Sequence, residues 1–247
     1  LTSFEIRKSS LVHAIRAARA ASDMAWISAK ESGVVISNSN MENTVAATVK
    51  MVDLDNYKYD KNGVQHIISL DEFSRVLETL KGSKFEISIG NNVLCIGSVE
   101  IPYSEDRSIP IPPDFDSIRP LLQKDIMFPT SILLDFISNT ISMWKDGDRS
   151  SRLVKISAES KKLSFEYKRN WENEKDISLI RLVDLDKTNL DIITTFDAAL
   201  LLKMSKSFPN KSKISMRWYK DLVGEFVINL DENCSVIVDI AQITFEE

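Results

Sequence analysis

Two stretches of this chain repeat each other. Ser69-Leu70-Asp71-Glu72-Phe73 runs into Lys84-Phe85-Glu86-Ile87-Ser88-Ile89, and Thr195-Phe196-Asp197-Ala198-Ala199 runs into Lys213-Ile214-Ser215-Met216. A supersecondary unit used twice restricts the chain to folds built by repetition. The match extends further: Ile27-Ser28-Ala29 recurs as Ile156-Ser157-Ala158 at an offset of 129, while Asp71 to Asp197 is 126 and Ile87 to Ile214 is 127. Loops of unequal length account for that drift, and the chain reads as two tandem domains. Its 247 residues fit one large or two ordinary domains, and 43% apolar composition is enough to build their cores.

Each half reads as strand, helix, several strands, helix, several strands, an α+β pattern. In the first half, strands are predicted at Thr2 to Ile6, Met24 to Lys30, Gly33 to Asn38 and Thr44 to Met51, with Ser9 or Ser10 capping a helix through about Ala21. Gln65 to Ser69 leads into a helix from about Asp71 to Lys81. Lys84 to Ile89, Val93 to Val99 and Arg107 to Ile111 follow as strands. The second half repeats this with helices from Thr130 to about Met143 and from Asp197 to about Ser207. Its strands are expected at Asp125 to Phe128, Arg152 to Ala158, Lys162 to Lys168, Ile177 to Leu182, Asp191 to Phe196, Ser212 to Trp218, Gly224 to Asn229 and Ser235 to Ile240. Between the halves, Pro110, Pro112, Pro113 and Pro120 keep the backbone extended and out of a sheet interior. The expected layout is therefore a first domain over 1–111, a connector over 112–123 that still carries Phe115 and Ile118, and a second domain over 124–247.

Cys95 and Cys234 each sit in an apolar, strand-like run, so they read as reduced core residues rather than a disulfide framework. No apolar run approaches the ~20 residues that cross a bilayer, and no signal-type leader opens the chain. A soluble, intracellular protein without a membrane partner is expected, numbered from after a removed residue because Leu1 is not an initiator.

The helices carry a pattern of their own. On the first, Leu11, Ala14, Ile15, Ala18 and Ala21 share one face, whereas His13, Arg16 and Ala20 occupy the other with Arg19 at its flank. On the fourth, Leu200, Leu201, Met204 and Phe208 face inward while Ala199, Lys203 and Lys206 face away, followed by Lys211 and Lys213. The second helix is mixed, with Arg75 and Lys81 beside Asp71 and Glu78. The third, with Ser131, Asp135, Ser138, Asn139 and Ser142, is nearly uncharged. A net charge of −5 argues against nucleic acid on its own. Affinity for a phosphate backbone, however, depends on where cations lie rather than on their sum. A protein can be acidic outside, as at Glu105-Asp106, Asp184, Asp186 and Asp231-Glu232, and basic along one helical surface.

With this order of elements, the Pro-rich connector, Arg107-Ser108-Ile109 before it and the ending Ser235-Val236-Ile237-Val238-Asp239-Ile240-Ala241-Gln242, the chain resembles the DNA sliding clamps of the proliferating cell nuclear antigen (PCNA) type over nearly its whole length. That resemblance implies two similar domains of the processivity fold, with helices along one face and antiparallel sheets along the other. It implies a ring of three subunits around duplex DNA that tethers DNA polymerase and other replication and repair enzymes. By position it assigns DNA contacts to His13, Arg16, Arg19, Arg75, Lys81, Lys203, Lys206 and Lys211. It also implies a clamp loader and client proteins carrying a short peptide motif, whose pocket maps to Asn40 or Met41, Phe115, Ile118, Ile240, Ala241 and Gln242. The chain departs from the family where Asp239 and Gln242 stand in place of an aromatic and a proline. Ring closure would pair strands near Arg107 to Ile111 and Asp176 to Val183, with Pro110 removing one backbone donor. The resemblance places the protein with the DNA, in a nucleus or in a nucleoid or virus-infected cytoplasm.

An enzyme is not expected. His13 and His66 have no metal-ligand spacing, and no phosphate-binding or nucleophile motif occurs, so neither a metal nor a cofactor is implied. Two alternatives remain open. One is a checkpoint-type clamp subunit or clamp-like scaffold in a mixed ring, which would lack salt-dependent DNA affinity. The other is a hydrolase with a carboxylate site, which would need a deep pocket with converging Asp or Glu side chains.

Overall fold

The computed structural model describes residues 1–61, 65–105, 109–112, 126–144, 152–159, 161–168, 178–185, 192–219 and 223–243. One order recurs four times: a strand, a helix, then three strands. The first module is β1 (Thr2–Arg7), α1 (Lys8–Ala18), β2 (Met24–Lys30), β3 (Gly33–Ser39) and β4 (Val45–Met51), with a short extra strand β5 (Asp55–Lys58) after it. The second is β6 (His66–Ser69), α2 (Leu70–Thr79), β7 (Lys84–Ile89), β8 (Val93–Ile96) and β9 (Val99–Pro102). The third is β10 (Ile126–Pro129), α3 (Thr130–Thr140) with a 3-10 turn at Ile141–Met143, β11 (Leu153–Glu159), β12 (Lys162–Lys168) and β13 (Ser178–Asp184). The fourth is β14 (Ile192–Asp197), α4 (Ala198–Ser207), β15 (Lys213–Tyr219), β16 (Val223–Asn229) and β17 (Cys234–Ala241).

The modules interlock in pairs. β1 leaves its own module and pairs antiparallel with β7, from Thr2↔Ile89 to Arg7↔Lys84, while β6 crosses back to pair with β2. The same exchange occurs in the second pair, where β10 pairs with β15 and β14 with β11. The duplication seen in the residues is thus a duplication of topology. Two compact units result: Leu1–Asp114 with Val227–Val238, and Phe115–Phe226 with Asp239–Glu247. The first holds the sheet β5-β1-β7-β8-β9 and the run β4-β3-β2-β6. The second holds the sheet β13-β12-β11-β14 and the run β10-β15-β16. The end of the β16–β17 hairpin belongs to the first unit, where Asn233 donates from Nδ2 to the Asp53 carbonyl (2.6 Å), its own carbonyl accepts from Val52 N (2.9 Å), and Ser10 bonds Asp231.

Strand exchange also explains how the helices begin. Each starts on the residue after a strand ends, and in α1, α2 and α3 the first N–H finds a carbonyl just ahead of the partner strand. Lys8 N donates to Ser83 O (2.8 Å), Leu70 N to Asp23 O (2.8 Å) and Thr130 N to Ser212 O (3.0 Å). The ladder gains one more rung, which satisfies a donor that a helix N-terminus otherwise leaves open. Side-chain caps add to this at Ser69, whose Oγ accepts from Glu72 N (3.2 Å), and at Asp197, which accepts from Ala199 N (2.7 Å). Ser9 and Ser10 do not cap α1 as the sequence suggested. β1 carries the chain into the helix at Lys8, and the N-cap Arg7 makes no side-chain bond.

The cores follow the predicted helix faces. Leu11, Ala14, Ile15 and Ala18 of α1 are buried, as are Leu201 and Met204 of α4. Fully buried aromatics fill the second unit: Phe128 meets Phe165 edge-on at 5.5 Å, and Phe196 meets Phe226 edge-on at 5.5 Å. Three further expectations are corrected, and one strand appears that was not expected. Ala20 does not face outward, because α1 ends at Ala18 and Ala20 lies buried in the following turn. Val93 to Val99 is not one strand: Gly97 adopts φ +57 and donates its N–H back to Glu86 O (2.9 Å), which folds β8 onto β9. No strand forms over Ile109 to Ile111, where Pro110 supplies no N–H; Arg107 and Ser108 lie outside the described residues. Finally, β5 pairs with β1 although nothing in Asp55-Asn56-Tyr57-Lys58 marks a strand.

Candidate nucleic-acid and partner surfaces

Within the first unit α1 and α2 lie side by side, and their cations meet acids across the seam. Arg19, the C-cap of α1, donates from Nη2 to Asp71 Oδ1 at 3.0 Å and from Nε to Asp23 Oδ1 at 3.1 Å. Asp71 also accepts from Arg75 one turn later. Arg16 Nη2 lies 3.7 Å from Glu78 Oε1. Three arginines thus stand against three carboxylates, and the seam is close to neutral. His13 sits half-buried on α1. Lys81 is exposed in the turn after α2 and has no ion pair among the described residues.

The second unit differs. Lys203 and Lys206 are exposed on α4 three residues apart, Lys211 is exposed in the turn that follows, and Lys213 opens β15, also exposed. None of the four is paired with an acid among the described residues. On α3, Asp135, Ser138 and Asn139 are exposed, and the helix carries no cation. The i,i+4 spacings Arg19/Asp23 and Asp71/Arg75 were legible in the residues. The pairs between α1 and α2 were not, because they join residues 52 and 62 positions apart.

The proposed client residues divide. Met41 is 77% exposed at the tip of the turn after β3, where Asn40 Oδ1 accepts from Thr44 N (2.8 Å) and Val45 N (3.1 Å). Phe115 and Ile118 lie outside the described residues. Ile240 is fully buried and presents no side chain, whereas Ala241 and Gln242 are half-buried. Gln242 Nε2 donates to Tyr219 O (2.7 Å) and Val223 O (2.9 Å), and Ile243 N donates to Thr195 O (2.8 Å), so the tail is pinned to its own unit. The first unit repeats the last bond: Ser104 N donates to Ile67 O (2.8 Å), two residues before the α2 cap just as Thr195 is two before the α4 cap.

β13 stands at the end of its sheet, with Ile180 and Leu182 56% and 58% exposed. Between it and α3 lies a hollow of about 460 Å³ lined by Ile132, Asp135, Phe136 and Asn139 on one side and Leu179, Ile180 and Arg181 on the other. Among the described residues no group of three or more His, Cys, Asp or Glu is placed to hold a metal, and no helix is long and apolar enough to cross a membrane. His66 instead stacks on Tyr103 with ring centroids 3.8 Å apart.

Paired, strand-exchanged βαβββ modules, used twice, define the fold of the PCNA-type sliding clamps, and this chain has that fold. No protein-family profile matches the chain, nor does any curated protein sequence. Solved structures do match. It is similar to the PCNA of A. fulgidus, in a structure bound to the C-terminal region of FEN-1, at a TM-score of 0.78 and 15% identity, covering all of both chains. It is likewise similar to the PCNA of Thermococcus kodakaraensis, at a TM-score of 0.77 and 13% identity, covering 98% of this chain and all of the other.

Proposed function

We propose that this chain is a subunit of a ring-shaped clamp that encircles duplex DNA and tethers polymerase and other clients, its two domains being 1–111 and 124–247 with a connector over 112–123. The observation that carries this reading is the PCNA fold combined with an open strand edge. β13 has no strand on its outer side among the described residues, and it offers Ile180 and Leu182 beside a hollow. A second copy adding a strand there would satisfy the free backbone groups and bury the apolar pair, as exposed edges otherwise invite. Exposed lysines on α4 supply contacts to phosphate that need no base readout, which suits a ring that slides. The peptide-bound A. fulgidus structure supports a client-peptide surface on this chain as well, with Met41 its exposed member in the first unit.

Sedimentation equilibrium over a wide concentration range tests the reading. A mass of three chains supports a self-sufficient ring, and replacing Ile180 and Leu182 together with lysine should then give monomers. A wild-type chain that stays monomeric at every concentration refutes the homotrimer. In that case the near-neutral α1–α2 seam favours the mixed-ring alternative.

A further inference from the structure

We infer that the second unit supplies most of this chain's attraction for the DNA backbone, through Lys203, Lys206, Lys211 and Lys213, and that the arginines of the first unit are held in reserve by their own acids. This rests on the clamp reading above and assigns its contacts unevenly.

Of the cations assigned to DNA in the first unit, Arg16, Arg19 and Arg75 each have a carboxylate within 4.0 Å. Asp71 holds two of them at once. To reach a phosphate, such an arginine must give up its acid or carry that negative charge toward the DNA. In either case the counterions released per arginine are fewer than for a free cation, because the acid already serves as the counterion. The four lysines of α4, its following turn and the start of β15 have no such partner among the described residues, and all four are exposed. Within two turns of helix and the strand start that follows, four positive charges accumulate. α3 in the same unit brings no cation that would share the role. Lysine also suits a moving contact, since its flexible stem follows a phosphate without the fixed geometry of a bidentate arginine.

The test is the salt dependence of binding to a fluorescein-labelled 30-base-pair duplex by anisotropy, for the intact protein and two double variants. For Lys203→Gln/Lys206→Gln, the slope of log affinity against log salt should fall by about 1.8, near 0.9 for each lost phosphate contact. For Asp71→Asn/Glu78→Gln, which frees Arg16 and Arg75 and leaves Arg19 only Asp23, the slope should rise and affinity at low salt should increase several-fold. A slope that is unchanged in the lysine variant, or an affinity that does not rise in the acid variant, overturns the inference while leaving the clamp reading intact. Absence of any salt-dependent binding by the unaltered protein, with a correct ring mass, instead removes DNA from the clamp reading itself. Circular dichroism of each variant confirms that the fold is kept.

Discussion

Gly224 lies on β16 against the flat end of Phe196, and a methyl group there has nowhere to go. An ideal Cβ would stand 2.3 Å from Phe196 Cζ and 2.8 Å from Cε1, where carbons in contact settle at about 3.5–4.0 Å. The ring or the strand must retreat by about 1 Å. Phe196 is fully buried and leans edge-on against Phe226, so it cannot swing into solvent. Overpacking of this kind costs about 1–3 kcal/mol, and the depth of the clash puts Gly224→Ala in the upper half of that range. Phe196→Leu removes the tip of the ring and on its own costs about 1–2 kcal/mol through the space it leaves. In the double variant the new methyl enters that space. The two losses should therefore fall short of their sum by at least about 1 kcal/mol. Urea unfolding followed by tryptophan fluorescence measures all four corners of the cycle. A Gly224→Ala variant within about 0.5 kcal/mol of the parent, or two losses that simply add, refutes the packing argument.

Three further outcomes follow from buried polar groups. The Asn38 side chain is fully buried and donates from Nδ2 to the carbonyls of Ala18 (3.0 Å), Ser22 (2.9 Å) and Met24 (3.1 Å), closing the end of α1; Asn38→Ala should cost about 1–3 kcal/mol, and Asn38→Asp, which sets a buried charge against three carbonyls, should cost more by the same urea assay. The Cys234 thiol is pushed up to about 12, chiefly by burial and further by nearby Asp231. Between about pH 9 and 12 the unfolded chain loses this proton and the native chain keeps it, so stability should fall with rising pH by up to about 1.4 kcal/mol per pH unit, a slope that Cys234→Ala removes. Burial holds the His66 imidazole below its ordinary range, so the unfolded chain binds a proton first and stability should decline below about pH 6.5. His66→Phe keeps the stack on Tyr103 and should flatten that acid limb in thermal melts taken from pH 7.5 to 5; an unchanged limb refutes the assignment.

The periodic elements were legible because each carries its signal locally. β2, β7 and β12 have the predicted bounds, and the buried faces of α1 and α4 follow from 3.6-residue spacing. What escaped depends on partners distant in the chain. β5 has neither alternation nor β-branched residues, and Asn56 sits at φ +54; it is a strand only because β1 offers an edge. The start of α1 was misplaced because its first N–H is satisfied by Ser83 rather than by a serine cap. The cationic helix faces were readable, but not their neutralisation: Glu78 and Asp71 look like ordinary solvent-facing acids until α2 is laid beside α1. Ile240 reads as an accessible tail residue, and only the paired β17 shows it sealed inside.

The division of the chain into units has a consequence for how the protein is made. Residues Val227–Val238 belong to the first unit, yet they leave the ribosome only after all of Phe115–Phe226. At about 5–20 residues per second, those 112 residues occupy about 6 to 22 s of translation. Throughout that interval β4 has β3 on one side and no neighbour on the other, because the strand that closes it, β17, does not yet exist. Nascent chains must therefore hold an open strand edge for seconds, a template for pairing with another nascent chain. The first unit of this protein cannot finish folding before β17 is made, so a message stalled ahead of it yields an unclosed sheet rather than half of a working protein.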